Sequence, residues 1–184
     1  MFQRRKRQNL TNKVLEWAWP RGGWRRMIHY IYLRMARMKG TPYSIAAGFA
    51  CGAAVSFTPL IGVHFLLAGL LSWLIRANVI VSLIGTIVGN PWTFPFIWIW
   101  TYKIGNWIIS PKVHIEKETA PDFYSSFNML IESFLQFNKS LIIESAIPVL
   151  WPMLVGSIPT AFVVWFLSFV LVRKGIESYQ GNKQ

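Results

Sequence analysis

The stretch SFTPLIGVHFLLAGLLSWLI, residues 56–75, lies inside a long apolar run and yet carries Pro59, Gly62 and His64 near its start. Thr, Ser and Asn are favoured N-caps and proline is favoured at the first helical position, so Thr58-Pro59 reads as one helix ending and another beginning. The same signature stands at Thr41-Pro42, where the run begins, and at Asn90-Pro91 in the next apolar run. Whether these runs cross a bilayer intact or in pieces decides the fold.

Lengths favour pieces. Ile45 to Phe57 makes about 20 Å of helix and Gly62 to Ile75 about 21 Å, both short of the roughly 30 Å of a hydrocarbon core. A kinked single span and a re-entrant hairpin both fit. Arg76 at the end of the run favours the hairpin, because basic residues favour the cytoplasmic face. In the second run, Val79 to Ile109, the same logic gives a half-span, a break at GNPWTFP with Pro91 and Pro95, and a helix from Phe94 to Ile109 that reaches the far side. Pro59, Gly62, Pro91 and Pro95 are therefore the expected helix breaks. Non-helical backbone at membrane depth survives only where protein or a wet cavity surrounds it, so the two breaks are expected to face each other. Aligning Pro59 on Pro91 gives an offset of 32 residues, a weak internal repeat. Paired interruptions of this kind point to a binding site near the midplane.

Composition agrees with a membrane protein. Of 184 residues 53% are hydrophobic and only 14% charged, against about a quarter charged in soluble domains. A third apolar block, Ala146 to Val172, is long enough for one crossing, with Pro148, Pro152 and Pro159 predicting an irregular first half. The expected fold class is an all-α integral membrane protein, with short broken or re-entrant helix hairpins plus full transmembrane helices. The basic start RRKRQNL is followed by polar and aromatic residues rather than an apolar core, so no cleavable signal is expected. Cys51, the single cysteine, rules out an intrachain disulfide and a cysteine zinc site.

The net charge is +12, and 11 of the 19 basic residues fall in the first 40 positions. Trp24, Met27, Ile28, Ile31, Met35 and Met38 recur at helical spacing with Arg26 and Arg37 opposite, which reads as an amphipathic helix on an anionic leaflet rather than a nucleic-acid arm. Residues 4–39 are thus the expected contact with anionic membrane lipids. Basic residues at this end and at Arg173-Lys174 place both termini in the cytoplasm. Residues 111–145 carry most of the acidic side chains. There Phe123, Phe127, Leu130, Ile131 and Phe134 predict an amphipathic helix on the outer face. Four segments follow: 1–40 basic and interfacial, 41–110 the membrane core, 111–145 the outer segment, and 146–184 the final span and tail.

GFACG, TPLIGVH, RAN and GTIVGNPWTFP together resemble a bacterial membrane family catalogued as domain of unknown function two-zero-six-two. Pro42, Ile45, Ala46, Gly48, Gly52, Pro59, Gly62, His64, Asn78, Gly85, Thr86, Asn90, Pro91 and Gly105 carry the resemblance, over about Pro42 to Gly105. It implies a bacterial inner-membrane location and no reaction. Some relatives look joined to glycosyltransferase domains that use polyprenyl-phosphate carriers.

From Glu16 to Glu116 no acidic residue intervenes, so the core lacks the carboxylates of proton relays and cation sites. Thr58, His64, Arg76, Asn78 and Asn90, with two helix starts, instead suit an anion. The expected function is binding and translocation of an anionic lipid head group such as a polyprenyl phosphate. The alternative is a non-catalytic scaffold or assembly factor for envelope biogenesis, in which proline and glycine only shape packing. No catalytic residue, metal ligand set or cofactor is expected, and an enzyme is the weakest class. His64 also reads as a neutral histidine bonded to a freed carbonyl, Asn90 as a plain N-cap, and Arg76 as a snorkelling boundary residue.

Overall fold

The structure is a computed structural model that describes residues 24–60, 62–109, 128, 132 and 139–181. The N-terminal residues 4–23 and the residues Phe123, Phe127, Leu130, Ile131 and Phe134 of the expected outer-face helix lie outside the described residues. The chain divides into two compact units, Met1–Lys39 and Gly40–Gln184. In the first, α1 (Trp24–Ala36) holds the predicted amphipathic segment and stops two residues before Met38. Arg34 reaches back one turn to donate to the Tyr30 hydroxyl at 3.2 Å.

The second unit contains α2 (Pro42–Val55), α3 (His64–Leu74), α4 (Val79–Gly85), a single 3-10 turn at Thr86–Val88, α5 (Phe94–Ile109) and α6 (Lys139–Gly181). Helices are the sole regular structure among the described residues, and one of them, over Ala146–Gly181, is long and apolar enough to cross a membrane.

α2 starts as the Thr41-Pro42 signature predicts. The Thr41 side chain accepts from the Ser44 amide at 3.1 Å and Pro42 takes the first helical position. Ten of its 14 residues are buried, and most of these are small: Ala46, Ala47 and Gly48, then, past Phe49, Ala50, Cys51, Gly52, Ala53 and Ala54. Small side chains on every face let neighbours approach from several directions, and α3, α4 and α6 all pack on α2.

The chain then doubles back. Tyr43 at the start of α2 donates its hydroxyl to the Ile75 carbonyl past the end of α3 at 3.4 Å, and the Asn78 amide donates to the Ser44 carbonyl at 3.0 Å. α2 and α3 are therefore an antiparallel hairpin, and α4 sets off again alongside α2. The α2–α4 contact is backbone on backbone. A Cβ added at Gly52 would run into the Ser82 carbonyl oxygen, and one at Gly85 into that of Phe49.

α5 buries Ile97, Thr101, Tyr102 and Gly105, a stripe at i, i+4, i+5 and i+8, against the first half of α6. Tyr102, Val149 and Met153 form one core cluster there, with Trp98 packed on it. Gly105 and Gly156 let the two backbones meet, since a Cβ at either would overlap the facing chain at Pro152 or Thr101. The second half of α6 packs on α2, where Tyr43 meets Phe169 edge-on at 5.9 Å. One long helix thus spans two shorter ones placed end to end.

Two expectations are corrected. Pro148, Pro152 and Pro159 sit inside an uninterrupted helix rather than making its first half irregular. Each removes one backbone bond, and packing against α5 and α2 on successive stretches holds the helix through the loss. Pro95 is not a break. It is the second residue of α5, in the first turn, where its missing N–H leaves no intrahelical bond unmade.

Candidate functional site

α2 ends at Val55, and the end is sealed from within. The Ser56 hydroxyl donates to the Gly52 carbonyl at 3.0 Å, and Thr58 donates to the Val55 carbonyl at 2.8 Å. Thr58 is therefore a C-terminal seal of α2 and not the N-cap of the next helix. A threonine hydroxyl serves as donor or acceptor, and here the free carbonyls of the preceding turn claim it. Pro59 holds the residue before it out of helix, and Gly62, at φ 85°, makes a turn that an L-residue resists. Helix resumes only at His64, after Val63, which offers no side-chain cap.

At the second break Asn90 turns toward the amides that follow it, as expected, but it closes a loop and the helix begins only at Phe94. Asn90 Oδ1 accepts the amides of Trp92 at 2.9 Å and Thr93 at 3.0 Å, while its carbonyl accepts the Phe94 amide at 2.9 Å. Thr93 Oγ1 donates to the Val88 carbonyl at 2.7 Å and accepts the Asn90 amide at 3.0 Å. Pro91 begins this closed loop.

The two breaks meet. Ser56 Oγ also reaches the Thr86 carbonyl at 3.3 Å. Gly89 lies against the Ser56 side chain and the Phe94 ring, near enough that a Cβ there would displace both. The His64 ring lies 4.1 Å from that of Phe65 and meets the edge of Phe94 at 6.3 Å, and Phe94 stacks on Trp98 at 5.7 Å. His64 is 8% exposed, and its Nδ1 has no hydrogen-bond partner. The freed carbonyl expected to hold it is not there. Leaving a buried polar atom unpaired costs about 1–3 kcal/mol.

Arg76 and Asn78 stand elsewhere. α3 separates them from His64 by 11 helical residues, about 17 Å, so one anion cannot bridge all the candidates. Asn78 caps α4, its Oδ1 accepting the Val81 amide at 3.1 Å. Arg76 is exposed and ends α3 with φ 56°, the one positive-φ residue other than glycine among those described. Of the five expected ligand contacts, the structure brings His64 to the second break. Thr58, Asn78 and Asn90 are engaged with backbone, and Arg76 lies at the opposite end of the hairpin. Ser56, Gly89 and Phe94 join the two breaks, a role that nothing in the sequence marks beyond the expectation that the breaks face each other.

Among the described residues no three His, Cys, Asp or Glu side chains converge. Neither a curated protein nor a solved structure matches this chain. Residues 25–184 do match a bacterial family, described as "Uncharacterized protein conserved in bacteria (DUF2062)", so the match takes in α1 and α6 as well as the Pro42 to Gly105 core. The chain belongs to that family.

Proposed function

We propose that this protein resides in the bacterial inner membrane, both termini cytoplasmic, and binds and translocates the anionic head group of a lipid such as a polyprenyl phosphate where its two helical breaks meet. Large apolar side chains face outward on every helix of the second unit longer than ten residues apart from the small-residue α2: Leu66 on α3 (72% exposed), Phe96 on α5 (76%) and Phe162 on α6 (71%). Such a surface suits lipid and not water. α2 and α3, about 21 and 17 Å long, read as a re-entrant hairpin that dips in and returns, and α6 as the full span. The basic residues 4–39 rest on the anionic cytoplasmic leaflet.

The unpartnered His64 Nδ1 carries the proposal. It is a buried polar atom at a break in membrane-depth helix, on a core without carboxylates, and intramembrane ionisable residues of this kind serve function. A phosphate oxygen supplies the missing partner. The scaffold reading has its own support, since Thr58, Asn78 and Asn90 all serve the backbone and the helix crossings run through glycine.

Vesicles holding the purified protein should move a labelled anionic polyprenyl lipid between leaflets, more slowly for His64→Ala. Flipping no faster than in empty vesicles would favour the scaffold. Asn90→Ala is a poorer probe because the side chain holds the loop that leads into α5.

A further inference from the structure

Three segments converge at the open end of the α2–α3 hairpin, away from its turn. Tyr43 bonds to the Ile75 carbonyl, its ring meets Phe169, Phe169 stacks on Trp165 at 5.2 Å, and the Arg173 guanidinium lies 5.8 Å over the Phe169 ring. Arg173 is paired with Glu177 at 2.7 Å. Arg76, the residue after Ile75, is paired with no described side chain, and Trp73 beside it is 68% exposed. Exposed aromatic rings with basic groups at one level form the belt that amphipathic side chains make at a membrane–water interface.

The backbone at Arg76 adds a second observation. The Ala77 amide donates to the Ser72 carbonyl at 2.7 Å and the Arg76 amide to that of Trp73 at 3.1 Å. These are the two bonds of a Schellman ending, whose left-handed residue is ordinarily glycine. Arginine there pays a steric penalty that glycine avoids. A cation near a helix C-terminus recovers part of it through the helix dipole. Lys or Arg one residue earlier would gain the same without the left-handed strain. A strained residue that the fold does not require points to a role for its side chain.

We propose that this end of the hairpin docks on an anionic leaflet, with the Arg76 guanidinium as a direct contact to lipid phosphate. The proposal rests on the membrane reading but is independent of any ligand at His64. The full-length protein in neutral detergent is titrated with phosphatidylglycerol or phosphatidylcholine, and the thermal unfolding midpoint is followed; a ligand that binds the folded state raises it. Phosphatidylglycerol should raise the midpoint of the wild type more than phosphatidylcholine. Arg76→Gly should start from a higher midpoint and show about fivefold weaker apparent affinity for phosphatidylglycerol, whereas Arg76→Lys keeps the affinity. An Arg76→Gly variant with undiminished affinity overturns the contact. A protein that stays monodisperse without detergent overturns the membrane reading instead.

Discussion

Ser56 Oγ and the Thr86 carbonyl, 30 residues apart in sequence, lie 3.3 Å apart in space and tie the end of α2 to the end of α4, where the 3-10 turn begins. At the other end of the same pair, the Asn78 amide bonds to the Ser44 carbonyl. α2 and the α4 segment therefore run parallel, fastened at both ends, with α3 as the return between them. The two breaks meet because α2, with 14 residues, and the shorter α4, with seven followed by a three-residue 3-10 turn, start side by side and run the same way. Contact between the breaks runs through Ser56, Thr86 and Gly89, while Leu60, Gly62 and Val63 of the first and Pro91 and Trp92 of the second stay exposed.

Glycine sets the spacing of that pair. Gly52→Ala should lower stability by about 1–3 kcal/mol, because the new methyl group meets the Ser82 carbonyl and neither backbone has room to yield. Gly69→Ala is the control. It lies mid-helix in α3 with only Val79 Cγ1 near, at 3.7 Å, so the gain in helix propensity should leave the protein unchanged or more stable by up to about 1 kcal/mol. Thermal or denaturant unfolding in detergent checks both, and equal effects would refute the close crossing.

Much of this arrangement was legible. Lengths and breaks gave the hairpin's two arms, and the bounds Phe94 to Ile109 for α5 agree with the sequence reading. Thr58-Pro59 and Asn90-Pro91 look alike on the page but differ in chemistry. An asparagine oxygen can only accept, so it turns toward the amides that follow; a threonine hydroxyl also donates, and it turned back to the Val55 carbonyl. The sequence also could not show that a straight α3 would part His64 from Arg76, since spacing along a chain does not fix which ends meet. That His64 Nδ1 is buried without a partner is a property of the packed state alone.

The hairpin predicts which side each end faces. In a Cys51→Ser background, Arg76→Cys and Lys174→Cys should both react with an impermeant thiol reagent applied from the cytoplasmic side only. Tyr43 links the two sites through Ile75 and Phe169, so they share one end of the fold. A kinked single span would carry residue 76 to the opposite face. Labelling of Arg76→Cys from outside alone would therefore exclude the hairpin.

His64 gives the sharpest separation of stability from function. Its ring sits among Phe65 and Phe94, and its Nδ1 is buried without a bond. His64→Phe keeps an aromatic ring in aromatic surroundings and removes the unpaired atom, so it should raise stability by about 1 kcal/mol or more. His64→Ala removes the same atom but opens a cavity, and it should be destabilising. If a head group bonds to Nδ1, both variants lose lipid movement in vesicles while only one loses stability. If the histidine serves packing alone, His64→Phe should flip lipid as the wild type does, or unfold at lower temperature. A more stable variant with no activity leaves the imidazole no structural purpose, and it is this combination that the anion site requires.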